Sequence, residues 1–353
     1  MHGPASKDWF EPVGLGTKNL MRALLSKEIG GPETLMVEDI EDPRPCPGEV
    51  SIDVEACGVN FPDALLIRDK YQVKAPRPFS PGSEVCGFIG AVGAGVTDFT
   101  VGQRVIARCP WGGMAERVCV TVDRCVQVPR NLPAAELATI LFTYATSYHA
   151  LRDRAGIRQG ETLLVLGAAG GVGTAAVELG KAFGARVIAA CSNSDKQTFA
   201  LARGADEAVI YPATIDRESA KGFSDGVRRA AGPTGIDVIL DPVGGEYTEA
   251  ALRAIGRNGR HLIVGFTAGI GRLPMNLPLL KYCSVIGVDW RNFNINEPER
   301  SAENIRAIVG MYERGELKPS VSAVYELSEA GTAIRRIADR EVLGKLAIRI
   351  APR

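Results

Sequence analysis

The strand-like run Thr162-Leu163-Leu164-Val165-Leu166 ends in Gly167-Ala168-Ala169-Gly170-Gly171-Val172-Gly173. A helix-patterned stretch follows, with Ala175, Ala176 and Leu179 among its small and apolar residues. A glycine turn of this kind presents backbone N–H groups and a helix N-terminus to the pyrophosphate of a dinucleotide. Glycine is required because a Cβ would hold the phosphate off the backbone. Ala168 stands where G-x-G-x-x-G has its first glycine. In isolation the turn also reads as an ordinary strand–helix connection; the strand before it and the helix after it favour the dinucleotide.

The second strand of such a unit normally ends in an acid that binds the ribose hydroxyls of NAD. Here the run 186–190 leads into Cys191-Ser192-Asn193-Ser194, with no acid. Lys196 follows in the first turn of the next helix, beside Asp195, which is a candidate cap for that helix.

These residues must be positioned by a sheet. Strand candidates recur at 162–166, 186–190, 208–211, 236–241, 260–265 and 283–288, with helix-patterned stretches such as 217–231 and 246–256 between them. That alternation predicts an α/β fold with a doubly wound parallel sheet, the Rossmann architecture, over 146–289. From Met21 to about Asn131 the pattern is instead short strands and turns, as in Glu49-Val50-Ser51-Ile52-Asp53-Val54, which predicts a partly open β-barrel. The tail carries helix patterns at 301–314 and 328–340 and strand patterns at 321–326 and 344–350. It is expected to return to the β-rich unit, making that domain discontinuous: 21–145 and 290–353. Residues 1–20 lack both periodicity and a signal-peptide core and are expected to form a flexible extension.

The chain has 353 residues, enough for two domains, and equal numbers of basic and acidic residues, 41 each. That balance gives no electrostatic footprint for nucleic acid or an anionic membrane. No apolar run is long enough to span a bilayer. The eight cysteines are scattered without a C-x-x-C pair and read as reduced thiols of a cytoplasmic protein.

Further segments add to the glycine turn: Gly58-Val59-Asn60-Phe61-Pro62-Asp63, Arg68-Asp69-Lys70-Tyr71, Pro81-Gly82-Ser83-Glu84-Val85-Cys86-Gly87, Val92-Gly93 and Gly344-Lys345. In order and spacing the chain resembles the medium-chain dehydrogenase/reductase superfamily, and within it the zinc-free NADPH:quinone oxidoreductase (zeta-crystallin-like) branch. The resemblance runs over roughly residues 21–351 and makes Ala168 the usual variant. It implies a GroES-like identity for the β-rich domain. Zinc-dependent alcohol dehydrogenases of the superfamily carry Cys where Asn60 stands, His where Ser83 stands and Cys near Phe142. None of the residues here is a good zinc ligand, so no metal is expected.

The resemblance also implies site residues. Asn60 and Tyr71 face the nicotinamide and the substrate; Asn60 is a donor to a developing oxyanion, and Tyr71 is a donor or proton source. Asp63 lies beside them, with orientation of its loop as the alternative to proton transfer. Cofactor contacts fall by resemblance to Asn60, Thr146 and Lys345; the glycine turn itself adds Gly170, Gly171 and Val172, and Phe266 is a candidate from its place at a strand's carboxyl end. Ser192 and Lys196 resemble 2′-phosphate contacts, and Tyr211 covers the adenosine end; NADPH is therefore the expected cofactor. Leu65 replaces a tyrosine found in some relatives, and Tyr144 or Trp290 is a candidate to fill that space. The implied activity is metal-free hydride transfer to quinones or related conjugated carbonyls. The alternatives are a 2-alkenal or enoyl-thioester double-bond reductase on the same fold, and an NADPH-binding protein without turnover. A homodimer is expected, with the strand at 283–288 pairing with its symmetry mate.

Overall fold

A computed structural model describes residues 19–350, apart from the side chain of Arg217. The expected extension at 1–20 lies outside the described residues up to residue 18, and Leu20 already begins a strand. The chain opens with the antiparallel pair β1 (Leu20–Leu25) and β2 (Met36–Glu41). There follow β3 (Glu49–Val59), β4 (Glu84–Val92), β5 (Arg104–Arg108), β6 (Arg117–Thr121) and β7 (Cys125–Gln127). The central run is β8 (Thr162–Leu166), β9 (Arg186–Cys191), β10 (Glu207–Ile210), β11 (Ile236–Asp241), β12 (Ile255–Ile263) and β13 (Ser284–Gly287). The tail adds β14 (Val321–Glu326) and β15 (Lys345–Arg349).

The central strands form one parallel sheet in the order β10-β9-β8-β11-β12-β13. The order reverses at β8, so the sheet is doubly wound and a crevice opens at the carboxyl ends of the strands beside it. All five residues of β8 are buried, as a strand covered by helices on both faces requires; this is why it reads as an unbroken apolar run. The second sheet has the order β14-β15-β3-β4-β5-β7, with β6 pairing β3. Its first two strands come from the tail, so the chain leaves this sheet, builds the parallel one and returns.

The tail divides. Helix Pro298–Glu313 starts earlier than its sequence pattern suggests. It buries Ile305, Ile308 and Val309 in the same core as Leu141, Tyr144 and Ala176. Helix Glu246–Ala254 is shorter than expected: Ile255 has an extended backbone and already belongs to β12, which begins five residues before the expected strand. Among the described residues, no helix is long and apolar enough to cross a membrane.

Candidate active site

The two sheets meet at the glycine turn. Gly170 is the N-cap of helix Gly171–Ala182, and among the described residues no side chain caps its first turn. The first N–H groups of that helix are thus available to an anion. Val172 carries its carbonyl to the Ser147 hydroxyl, 2.9 Å away, which pins the turn to helix Ile140–Tyr148. A Cβ on Gly171 would lie 2.9 Å from both Lys345 Cδ and Thr143 Cγ2. The turn is a cradle that a larger residue would fill, and its donors and shape fit a dinucleotide pyrophosphate.

The aliphatic stem of Lys345 lies against Gly171, while its ammonium is turned away, into a buried cluster. Lys345 Nζ donates to Val59 O at 2.8 Å, Asn60 Oδ1 at 2.5 Å and Glu84 Oε1 at 2.9 Å. Its three protons are thereby spent on the protein, so only the stem faces the turn. Asn60 Nδ2 donates to the same Glu84 Oε1 at 2.8 Å. Glu84 Oε2 accepts from the N–H of Phe142 at 2.8 Å, in the first turn of helix Ile140–Tyr148, where the helix dipole favours a carboxylate. Asn60, Glu84 and Lys345 are all buried. No signal in the sequence marked Glu84 as part of the site beyond its place after Ser83.

Asp63 sits one turn on. Its Oδ2 accepts from Asn60 N at 2.7 Å and its Oδ1 from Gly82 N at 3.1 Å. This capping box starts helix Phe61–Leu66 and fixes the loop that carries Asn60. Burial pushes the Asp63 carboxyl up to about 6, against the pull of those two N–H donors. Tyr71 is partly buried, and burial raises its phenol; Arg291 beside it acts in the opposite direction. Asn60, Asp63, Glu84 and Lys345 thus form one contiguous group, with Tyr71 close enough to Asp63 to feel its charge.

The Thr146 hydroxyl donates to Phe142 O at 2.6 Å, one helical turn back. Tyr144 does not fill the space left by Leu65: its hydroxyl donates to Glu178 at 2.8 Å, within the core. Trp290 packs edge-on to Phe142, with ring centroids 6.3 Å apart. Phe266 is 54 % exposed just beyond β12, where crevice ligands of an open α/β sheet lie.

At the end of β9, Lys196 Nζ donates to Ser192 Oγ at 3.1 Å and to the carbonyl of Arg340 at 3.4 Å. Asp195 does not cap the helix; Asn193 does, accepting from Lys196 N at 2.9 Å. Either residue type suits the role, but Asn193 has the extended backbone an N-cap requires and Asp195 is already helical. Tyr211 packs on Tyr247 with centroids 4.9 Å apart. Burial raises its phenol, and the Arg340 guanidinium is close enough to oppose this. Arg340 thus joins Lys196, Ser192 and Tyr211; no sequence pattern singled it out. It has a left-handed backbone, φ 60°, and its guanidinium donates to Thr267 O.

Among the described residues, no group of three or more His, Cys, Asp or Glu is placed to hold a metal ion. His149 pairs with Asp153 at 2.8 Å and stacks on Phe293, and His261 pairs with Asp241 at 3.2 Å, both within packed structure. All eight cysteines are free.

Two family models match the chain: the alcohol dehydrogenase GroES-like domain at residues 46–130, and zinc-binding dehydrogenase at residues 171–307. The rat quinone oxidoreductase-like protein 2 is 33% identical, covering 95% of this chain and 94% of its own. Human quinone oxidoreductase is 33% identical, covering 91% and 94%. Among solved structures, a mycobacterial protein complexed with NADPH superposes with a TM-score of 0.85 at 27% identity, covering 94% of this chain and all of its own.

Proposed function

Because the chain belongs to the quinone oxidoreductase branch of the medium-chain dehydrogenase/reductase superfamily, and is an NAD(P)H oxidoreductase of that type, we propose that it is an NADPH-dependent, metal-free reductase of quinones or related conjugated carbonyls. One observation carries this reading: the residue that packs on the dinucleotide turn, Lys345, also holds the buried amide of Asn60. Cofactor cradle and reaction site are therefore adjacent.

A nicotinamide cofactor whose pyrophosphate occupied the glycine turn would supply the hydride. The chain has to orient the acceptor, exclude water and meet the negative charge that arrives. Asn60 offers one N–H that no group among the described residues takes, and Tyr71 offers a phenol that burial keeps protonated. Both suit an oxygen that gains charge. Metal independence rests on the donor set. Asn60 and Ser83 are poor ligands, and the carboxylate of Glu84 already faces an ammonium at 2.9 Å. NADPH is preferred over NADH because Lys196 bonds Ser192 just past β9, the Arg340 guanidinium is close enough to act on Tyr211, and β9 ends in Cys191 and not in an acid. A charge-assisted contact to a 2′-phosphate contributes roughly 1.5–3 kcal/mol, or about 10- to 100-fold in preference.

The test is steady-state NADPH oxidation by EDTA-treated protein, with quinones and 2-alkenals run side by side. Faster turnover of quinones supports the reading and shows metal to be dispensable. Faster turnover of alkenals moves it to double-bond reduction, and no turnover of either overturns it.

A homodimer is part of the same proposal. Among the described residues, β13 leaves one edge of the parallel sheet unpaired, and Val285, Leu279, Leu280 and Tyr282 are exposed around it. Pairing β13 with its copy would satisfy the edge and cover the apolar side chains. Light scattering should give twice the chain mass, and Val285→Glu should shift the protein to monomer; a monomeric wild type at micromolar concentration contradicts the dimer. Eight free thiols suit a reducing compartment, the cytoplasm.

A further inference from the structure

We infer that Glu84 and Lys345 are positioning residues: together they lock the Asn60 carboxamide in one orientation, so that the N–H with no partner among the described residues is a fixed donor to the acceptor oxygen. This deepens the reductase reading and rests on it for the identity of the acceptor.

The geometry leaves the amide no choice. Its oxygen faces the Lys345 ammonium at 2.5 Å, and one Nδ2–H faces the Glu84 carboxylate at 2.8 Å. Turned by 180°, the NH₂ would meet the ammonium and the oxygen would meet the carboxylate, with repulsion at both ends. An uncharged pair of partners would leave the two orientations closer in energy. Here one side carries a full positive charge and the other a full negative one, in a buried setting where such contacts are strong.

The clamp is itself anchored. Glu84 is held from its other oxygen by the Phe142 N–H, and Lys345 by the carbonyl of Val59 next to Asn60. Lys345 follows Gly344, whose N–H donates to Ala169 O in the glycine turn at 2.9 Å. The donor direction of Asn60 is thus set relative to the turn that seats the cofactor. A preorganised donor of this type requires no reorganisation during the reaction, and misplacement of about 1 Å costs on the order of 100-fold in rate.

The experiment is a double-mutant cycle on kcat, using Asn60→Ala, Glu84→Gln and their combination, with NADPH affinity measured by fluorescence and folding by thermal melting. Each single variant should lower kcat by roughly 10- to 100-fold, with NADPH affinity changed far less. The double variant should be no slower than Asn60→Ala alone, because Glu84 acts through Asn60. Losses that multiply would overturn the proposal, since a carboxylate that merely supports the fold acts independently of the amide. Should Glu84→Gln fold poorly with Lys345 left unpaired, Glu84→Gln/Lys345→Met removes both charges together and takes its place in the cycle. If the wild type turns over no acceptor, the reductase reading fails by itself. The clamp is then read from the ¹⁵N side-chain resonance of Asn60. Its two protons should be widely separated in the wild type and should converge in the charge-free variant; an unchanged pair would overturn the clamp.

Discussion

Gly344 donates its N–H to the carbonyl of Ala169 at 2.9 Å, so the last strand of the β-rich sheet is tied directly to the glycine turn of the parallel sheet. The contact needs glycine. Its φ is +70°, and a Cβ would lie 2.6 Å from the carbonyl oxygen of Ser320. Gly344→Ala should therefore cost about 1–3 kcal/mol in backbone strain and displace Lys345 behind it. The expected outcome is a lower Tm together with weaker NADPH binding by fluorescence titration. An unchanged binding curve would show that the turn does not depend on this tie.

The cation pair of Lys196 and Arg340 should set cofactor preference. Lys196→Ala and Arg340→Ala should each raise KM for NADPH by roughly 10-fold or more while leaving KM for NADH within about 2-fold, because only NADPH carries the 2′-phosphate. Equal effects on both cofactors would remove the pair from this role. The two losses should not simply multiply, since both cations would act on the same phosphate.

Tyr71 is the phenol placed near the Asn60–Asp63 loop. If its hydroxyl meets charge on the acceptor, Tyr71→Phe should lower kcat by about 10-fold with little change in NADPH affinity. Wild-type kcat with every acceptor would take Tyr71 out of catalysis.

What the sequence discloses follows from how local each feature is. β8 is legible because a strand buried on both faces is apolar at every position, and the turn after it because glycines mark a close backbone approach. The clamp on Asn60 is not legible. Glu84 meets Lys345 across 261 positions in the chain, and a single carboxylate on a strand carries no pattern. Arg340 reaches Lys196 across 144 positions, from a turn that shows no glycine although its backbone is left-handed. Tyr144 misleads for the same reason: its neighbours suggest the cleft, but Glu178 takes its hydroxyl from the helix packed behind it. The helix at 298–313 reads as part of the tail by position, yet its apolar face belongs to the core beside helix Ile140–Tyr148.

Asp63 gives a pH dependence with a definite sign. Burial raises its folded-state value from 3.8 to about 6, so between these values the folded chain binds the proton more tightly than the unfolded chain. Stability associated with this group is fully present below about pH 4, falls as pH rises toward 6 and is level above it; the loss is at most about 3 kcal/mol. Asp63→Asn removes the titration. The stability of the wild type relative to Asp63→Asn, from urea unfolding between about pH 4 and pH 8, should therefore decline to about pH 6 and then flatten. At high pH the wild type still gains from two backbone N–H bonds to a full carboxylate, so the variant need not be the more stable protein at any single pH; the slope decides. A difference that is flat across the range would place the Asp63 carboxyl in a wetter setting than its 2 % exposure indicates.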